Sequence, residues 1–169
     1  MEHWYAVHTK ARDEELADEN LTRQGFQTFL PRIKVPKRRR GRWIEAIEPL
    51  FPGYLFILLD LTRQDSSPIR STRGALGLVR FGGEPAPVPS ELVEELQTAS
   101  TGDEGVVRQE HLFQAGDQVE IIAGPFTGLP ASILNETGKE RVQVLLELLG
   151  RANKILISRH QITPLMKGG

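Results

Sequence analysis

The sequence predicts an α+β protein in two units: a layered α/β sandwich over residues 1–98 and a small β-barrel over residues 111–169, joined by a linker at 99–110. Three observations carry this. An unbroken apolar run from Tyr54 to Leu59 follows a proline-rich turn, and reads as a strand buried on both faces and therefore central in a sheet. Around it, strand-like and helix-like periodicities alternate. Beyond Ala99–Gly105, a small, polar, Gly-rich stretch, short apolar segments recur between turn signals, as in a barrel.

His3 to Thr9 is aromatic and β-branched enough for a strand, with Trp4, Ala6 and His8 on one face and Tyr5 and Val7 on the other. Asp13 suits the N-cap of a helix running to about Gln24, with Gly25 just past its end and Leu16, Ala17, Leu21 and Gln24 as its packing stripe. Phe26 to Val35 reads as a second strand interrupted at Pro31. Lys37-Arg38-Arg39-Arg40-Gly41-Arg42 is a basic hairpin tip, which reads equally as a solvated loop or as a phosphate contact. Trp43 to Ile47 alternates and leads through Glu48 into the turn.

Pro49 and Pro52 fix two φ angles and hold Leu50 and Phe51 extended, while Gly53 supplies the positive φ that a turn after Pro52 needs. A stiff turn feeding a central strand fixes where Phe51, Tyr54 and Phe56 point. These rings are either core or an exposed groove for a partner. Ser66 to Ser71 reads as a short helix, Leu76 to Phe81 as a strand and Gly82 to Pro85 as a turn. Ser90 suits the cap of a helix through about Thr98, with Leu92, Val93 and Leu96 on its apolar face.

In the second unit, Asp117–Ile122, Ala131–Leu134, Arg141–Leu148 and Ile155–Ile157 read as short strands around turns at Gly124–Gly128 and Glu136–Gly138. The leucine-rich segment carries a second reading. Val142, Leu145, Leu146, Leu149 and Leu156 also fit a helical stripe, in which Gly150 costs about 1 kcal/mol. For the preceding arm, Pro125 and Pro130 each cost about 3 kcal/mol in a helix interior, so strands are favoured there.

Composition narrows function by exclusion. There is no cysteine, hence no disulfide or thiolate chemistry. Net charge is −1, with a basic excess before residue 90 and an acidic excess after it, so a local basic surface is compatible but a strongly basic nucleic-acid binder is not. No run is long and apolar enough for a membrane span, and Met1–Trp4 lacks the features of a signal peptide, so the simplest expectation is a cytoplasmic protein with no membrane partner. His3, His8, His111 and His160 are scattered without metal-ligand spacing, and Asp13, Glu14 and Glu15 sit where a helix N-terminus favours them anyway. The expectation is a non-enzyme without metal or cofactor.

Two separated signatures resemble one family. Trp4-Tyr5-Ala6-Val7, Pro49-Leu50-Phe51-Pro52-Gly53-Tyr54-Leu55-Phe56 and Thr72-Arg73-Gly74 with Val79-Arg80-Phe81 are similar to the N-terminal (NGN) domain of the NusG family. Gly116-Asp117, Val119, Ile121 and Gly124-Pro125-Phe126-Thr127-Gly128 resemble its C-terminal KOW domain. Together they cover nearly the whole chain. Compact length, Glu48 before the Pro-Leu-Phe-Pro turn, and Arg73-Gly74 through Gly82 are most similar to the RfaH-type antiterminators of that family.

The resemblance implies an antiparallel sheet flanked by helices, a flexible linker and a five-stranded SH3-like barrel. It implies a monomeric transcription elongation and antitermination factor whose first domain binds the clamp helices of RNA polymerase. The matching positions are Phe51, Tyr54 and Phe56, flanked by Phe81, Val93 and Leu96. Contact with the non-template DNA strand is implied at Lys10, Arg23, Thr72 and Arg73, with Arg12 nearby; each cation reads equally as a solvated surface charge. The barrel is expected to contact the ribosomal protein NusE or Rho, with Phe126 as the candidate contact. Glu48 and Arg141 match a pair that ties a helical C-terminal domain onto the polymerase site in RfaH-type proteins. Pro125 and Pro130 argue against such a helix, so the barrel is the expected resting form. The chain departs from the RfaH pattern at His8 and at Asp65-Ser66-Ser67-Pro68, where a second polymerase contact would lie. The alternatives are a general NusG-like factor coupling polymerase to Rho or the ribosome, and a KOW-type ribosome- or RNA-binding protein.

Overall fold

The structure is a computed structural model, and it describes residues 1–101, 106–107 and 137–150. Its strands and helices in chain order are β1 (His3–Thr9), α1 (Glu14–Arg23), β2 (Gln27–Phe29), β3 (Arg32–Arg39), β4 (Arg42–Pro49), β5 (Tyr54–Leu59), α2 (Ser67–Ser71), β6 (Ala75–Leu78), β7 (Arg80–Phe81), β8 (Glu84–Pro85), β9 (Pro87–Val88), α3 (Ser90–Ala99), β10 (Ser100–Thr101) and β11 (Val106–Val107). A fourth helix, α4, covers residues 138–150.

The main sheet runs β2-β5-β1-β6, with β9 also paired to β1. Its described pairings are antiparallel, and β5 lies inside it between β2 and β1. Period-two alternation therefore feeds two cores. Tyr5, Val7, Leu55, Ile57 and Leu59 face α1, where Ala17 and Leu21 close one core. Trp4, Ala6 and Phe56 face the other way, against Leu92, Val93 and Leu96 of α3. The predicted α+β layering is thus realised by one sheet with a helix on each face.

The Phe51–Tyr54 turn has the chemistry its residues demand. Tyr54 N–H donates to Phe51 O at 3.0 Å, Pro52 sits second, and Gly53 takes φ 86. Gly53 N–H donates to Glu14 Oε2 at 3.0 Å, and its carbonyl accepts from Thr9 N–H at 2.7 Å, so the turn is clamped to β1 and to the start of α1. Near α2, Gly74 has φ 92, and a Cβ there would lie 2.9 Å from Ala17 N. Only a residue without a side chain lets this loop touch α1.

Several expectations are corrected. Asp13 precedes α1, but its side chain makes no cap hydrogen bond, and the short helix read from Ser66 starts at Ser67. The cap position of α3 is Pro89, and Ser90 is its first helical residue. The expected strand at Leu76–Phe81 is two strands, β6 and β7, and Gly82 and Gly83 turn the chain into β8. Residues 100–101 and 106–107, inside the stretch read as linker, form β10 and β11, and β11 pairs in parallel with Arg32 and Ile33 of β3.

The largest correction concerns the leucine-rich segment. Arg141–Leu148, expected as a strand in the resting barrel, lies in α4. Its buried residues Arg141, Leu145, Leu148 and Leu149 are spaced as one helical stripe. Thr137 starts it with a capping box. Glu140 N–H donates to Thr137 Oγ1 at 3.2 Å, while Thr137 N–H (3.4 Å) and Oγ1–H (2.7 Å) donate to Glu140 Oε1. The other strands expected in the second unit, the turn at Gly124–Gly128 and the arm carrying Pro125 and Pro130 lie outside the described residues.

Candidate partner-binding face

The apolar layer between β5 and α3 is continuous with α4. Phe51, Phe56, Val93 and Leu96 are buried in one cluster with Leu145, Leu148 and Leu149, and Tyr54, Phe81, Val142 and Val144 pack at its margin half-buried. Phe51 meets Phe56 edge to face at 6.0 Å between ring centroids. Tyr54 stacks on His8 at 4.8 Å and 12°. Burial raises the Tyr54 phenol above its usual range. A Cβ at Gly150 would lie 3.4 Å from Phe81 Cε1, so α4 passes close over that ring.

A buried arginine registers the helix on this layer. Arg141 Nη2 lies 2.8 Å from Glu48 Oε1, Arg141 Nε–H donates to Leu50 O at 2.7 Å, and the residue is 1 % exposed. Lys37 Nζ pairs with the other carboxylate oxygen of Glu48 at 2.8 Å. Burial pushes the Glu48 carboxyl up, but hydrogen bonds from Lys37 and Arg141 outweigh it and hold the group below its ordinary value. Lys37, Glu48 and Arg141 come from β3, β4 and α4, so the three-membered cluster exists only when all three elements are in place.

The basic residues matched to a DNA face gather elsewhere, around the ends of β1, α1 and α2. Lys10, Arg12, Arg23 and Arg73 are exposed, and Arg12 takes φ 65. Lys10 N–H donates to Gly74 O at 2.8 Å, which holds the β1 end beside the Thr72–Gly74 loop. Thr72 is buried; its hydroxyl donates to Pro68 O at 2.8 Å and accepts from Gln24 Nε2 at 2.8 Å. It therefore braces the loop carrying Arg73. Phe126 lies outside the described residues.

Sequence reasoning missed the covering side chains Leu148 and Val144 and the role of Thr137 as a cap. The Thr137-x-x-Glu140 spacing ahead of an apolar stripe was the available signal.

The family described as transcription termination factor nusG matches residues 2–97. A Thermus thermophilus protein named transcription termination/antitermination protein NusG is 32% identical, covering 94% of this chain and 96% of its own length. A Staphylococcus aureus protein of the same name is 27% identical, covering 96% of this chain and 95% of its own. A solved Thermotoga maritima NusG structure, titled for its domain interaction, matches at 26% identity and TM-score 0.39, covering 75% of this chain and 76% of that one. The chain belongs to the NusG family.

Proposed function

We propose that this chain is a transcription elongation and antitermination factor of the RfaH type. In this reading residues 1–98 bind the clamp helices of RNA polymerase through the layer of Phe51, Tyr54, Phe56, Phe81, Val93 and Leu96. The form with α4 seated is closed. The observation that carries it is the seating itself: an amphipathic helix inserts Leu145, Leu148 and Leu149 into that layer, where the proposed partner would also be helical. Helix-in-groove docking gives both occupants the same physics, so they compete. Residues 99–110 serve as the linker, and residues 111–169 as the KOW domain that meets NusE or Rho, with Phe126 as its contact. Lys10, Arg12 and Arg23, together with Arg73 on the loop braced by Thr72, face the non-template DNA strand. No bond is made or broken. The factor acts by binding the elongating state better than the paused one.

Binding to immobilised core RNA polymerase tests this. The intact chain is compared with Glu48→Ala and with a chain cut at a protease site placed within residues 102–105. Opening the closed form should tighten binding, and Phe56→Ala added to the cut chain should abolish the gain. Equal binding by all forms, or none by the opened ones, would reject the reading.

A second reading is a general NusG-like factor that couples polymerase to Rho or the ribosome, favoured by the termination/antitermination names of the matched relatives. Indifference of recruitment to a hairpin in the non-template strand of a paused complex would select it.

A further inference from the structure

Beyond the polymerase reading, and independent of it, we propose that the β3–β4 hairpin is a second nucleic-acid site that grips a single strand. In this site arginines take the phosphates and Trp43 stacks on a base.

The hairpin is built to present these groups. Strands β3 and β4 pair from Arg32↔Pro49 to Arg39↔Arg42, and the connection is the two residues Arg40 (φ 52) and Gly41 (φ 76). Positive φ at both is the tight hairpin turn whose twist matches the strands. Beyond Val35 every residue of β3 is exposed, as is every residue of β4 before Ala46. Between Pro36 and Ile44 there are five cations and no carboxylate. Lys37 is used up on Glu48 at 2.8 Å. Arg38, Arg39, Arg40 and Arg42 meet no carboxylate among the described residues.

Cross-strand register sorts them by face. Arg38 lies opposite Trp43, so both stand on one face, while Arg39 lies opposite Arg42 on the other. Two like charges held directly opposite repel, and an anion between them removes the repulsion. Trp43 is 70 % exposed. On the same face Ile47, also exposed, continues the apolar strip, and Lys34 opposite it adds a cation. Glu45 is the one carboxylate of that face, opposite Pro36 and two pairs further from the tip than Trp43. An exposed indole beside unpaired arginines suits a strand whose bases are free; in a duplex they are already stacked on each other.

Intrinsic fluorescence isolates this site, because the chain has two tryptophans and Trp4 is 8 % exposed. The full chain is titrated with oligo-dT and oligo-U of about 12 nucleotides and with a duplex of the same length. Single strands should quench Trp43, and the dT and U arms show whether DNA or RNA is preferred. Trp43→Ala should weaken binding about tenfold, with an unchanged circular dichroism spectrum. Replacing Arg39 and Arg42 by Ala should lower the salt slope by about 0.7 for each phosphate no longer neutralised. Arg73→Ala should leave the quenching intact, which separates this site from the proposed non-template face. Duplex bound as tightly as single strand, no quenching, or undiminished binding by Trp43→Ala overturns the inference.

Discussion

Arg141 Nη2 stands 2.8 Å from Glu48 Oε1, and the guanidinium it belongs to is almost wholly out of water. A buried cation is costly unless each donor is used. Here Nε goes to the Leu50 carbonyl and Nη2 to the carboxylate. The pair therefore works as a register pin. The leucines of α4 supply apolar area, and the pin restricts where along the layer that area is buried.

Glu48→Ala takes the carboxylate away from the buried Arg141 guanidinium. Loss of the carboxylate should destabilise the seating of α4 by about 2–4 kcal/mol. Hydrogen exchange over residues 138–150 should accelerate correspondingly, while β1 and β5 keep their protection. Arg141→Met removes the stranded charge as well and should restore part of the stability in the double variant. A double variant as fast as the single one would mean that the pair contributes nothing specific.

Acid should act on the same contact. The Glu48 carboxyl is raised by burial but lowered further by Lys37 and Arg141, so its folded value lies below the unfolded one. Its contribution is present above the ordinary carboxylate range and is lost as pH falls through the depressed folded value. Seating of α4 should thus be steady near neutrality and weaken only in acid. Lys37→Met should move this weakening to higher pH. A carboxyl-carbon NMR titration of Glu48 alongside exchange over 138–150 reads both.

Much of the first unit was legible in the sequence because its signals are local. Aromatic and β-branched content set β1 at His3–Thr9, and a continuous apolar run set β5 at Tyr54–Leu59, which feeds both cores as expected. Prolines and a glycine set the turn between Leu50 and Tyr54. The leucine-rich segment is different. Its pattern fits a strand and a helix, and what decides between them is a layer almost a hundred residues earlier in the chain that accepts Leu145, Leu148 and Leu149. The pairing of β11 with β3 was invisible for the same reason: Val106 and Val107 follow a Gly-rich stretch, and they take strand geometry between β10 on one side and Arg32 and Ile33 of β3 on the other. The aromatic question had a mixed answer. Phe51 and Phe56 are core-like with α4 in place, yet the side chains that bury them include those of a helix held by the Glu48–Arg141 pair.

Packing of the helix start gives a sharper probe than the leucines. A Cβ at Gly138 would sit 2.7 Å from Pro52 Cγ, part of a ring that the turn holds fixed. Gly138→Ala should therefore cost the seating of α4 about 1–3 kcal/mol despite alanine's better helix propensity. Increased binding of an apolar dye by the variant, with thermal unfolding of the sheet unchanged, is the expected outcome.

Gly74→Ala tests the other side of the molecule. The added Cβ would lie 2.9 Å from Ala17 N and 3.1 Å from Asp13 O, and both are backbone atoms that no rotamer change can move aside. Its φ of 92 also lies where an L side chain is strained. The two effects act on the same residue and should together cost about 2–4 kcal/mol, lowering the thermal midpoint of the domain. Because Gly74 O holds the Lys10 amide and the loop carries Arg73, the same change should loosen the basic face. Chemical shifts of Lys10 and Arg73 should move, while the Glu48–Arg141 contact, on the far core, keeps its own. A variant as stable as the parent would show that the loop can lift off α1 at no cost, and would leave no steric demand for glycine at that position.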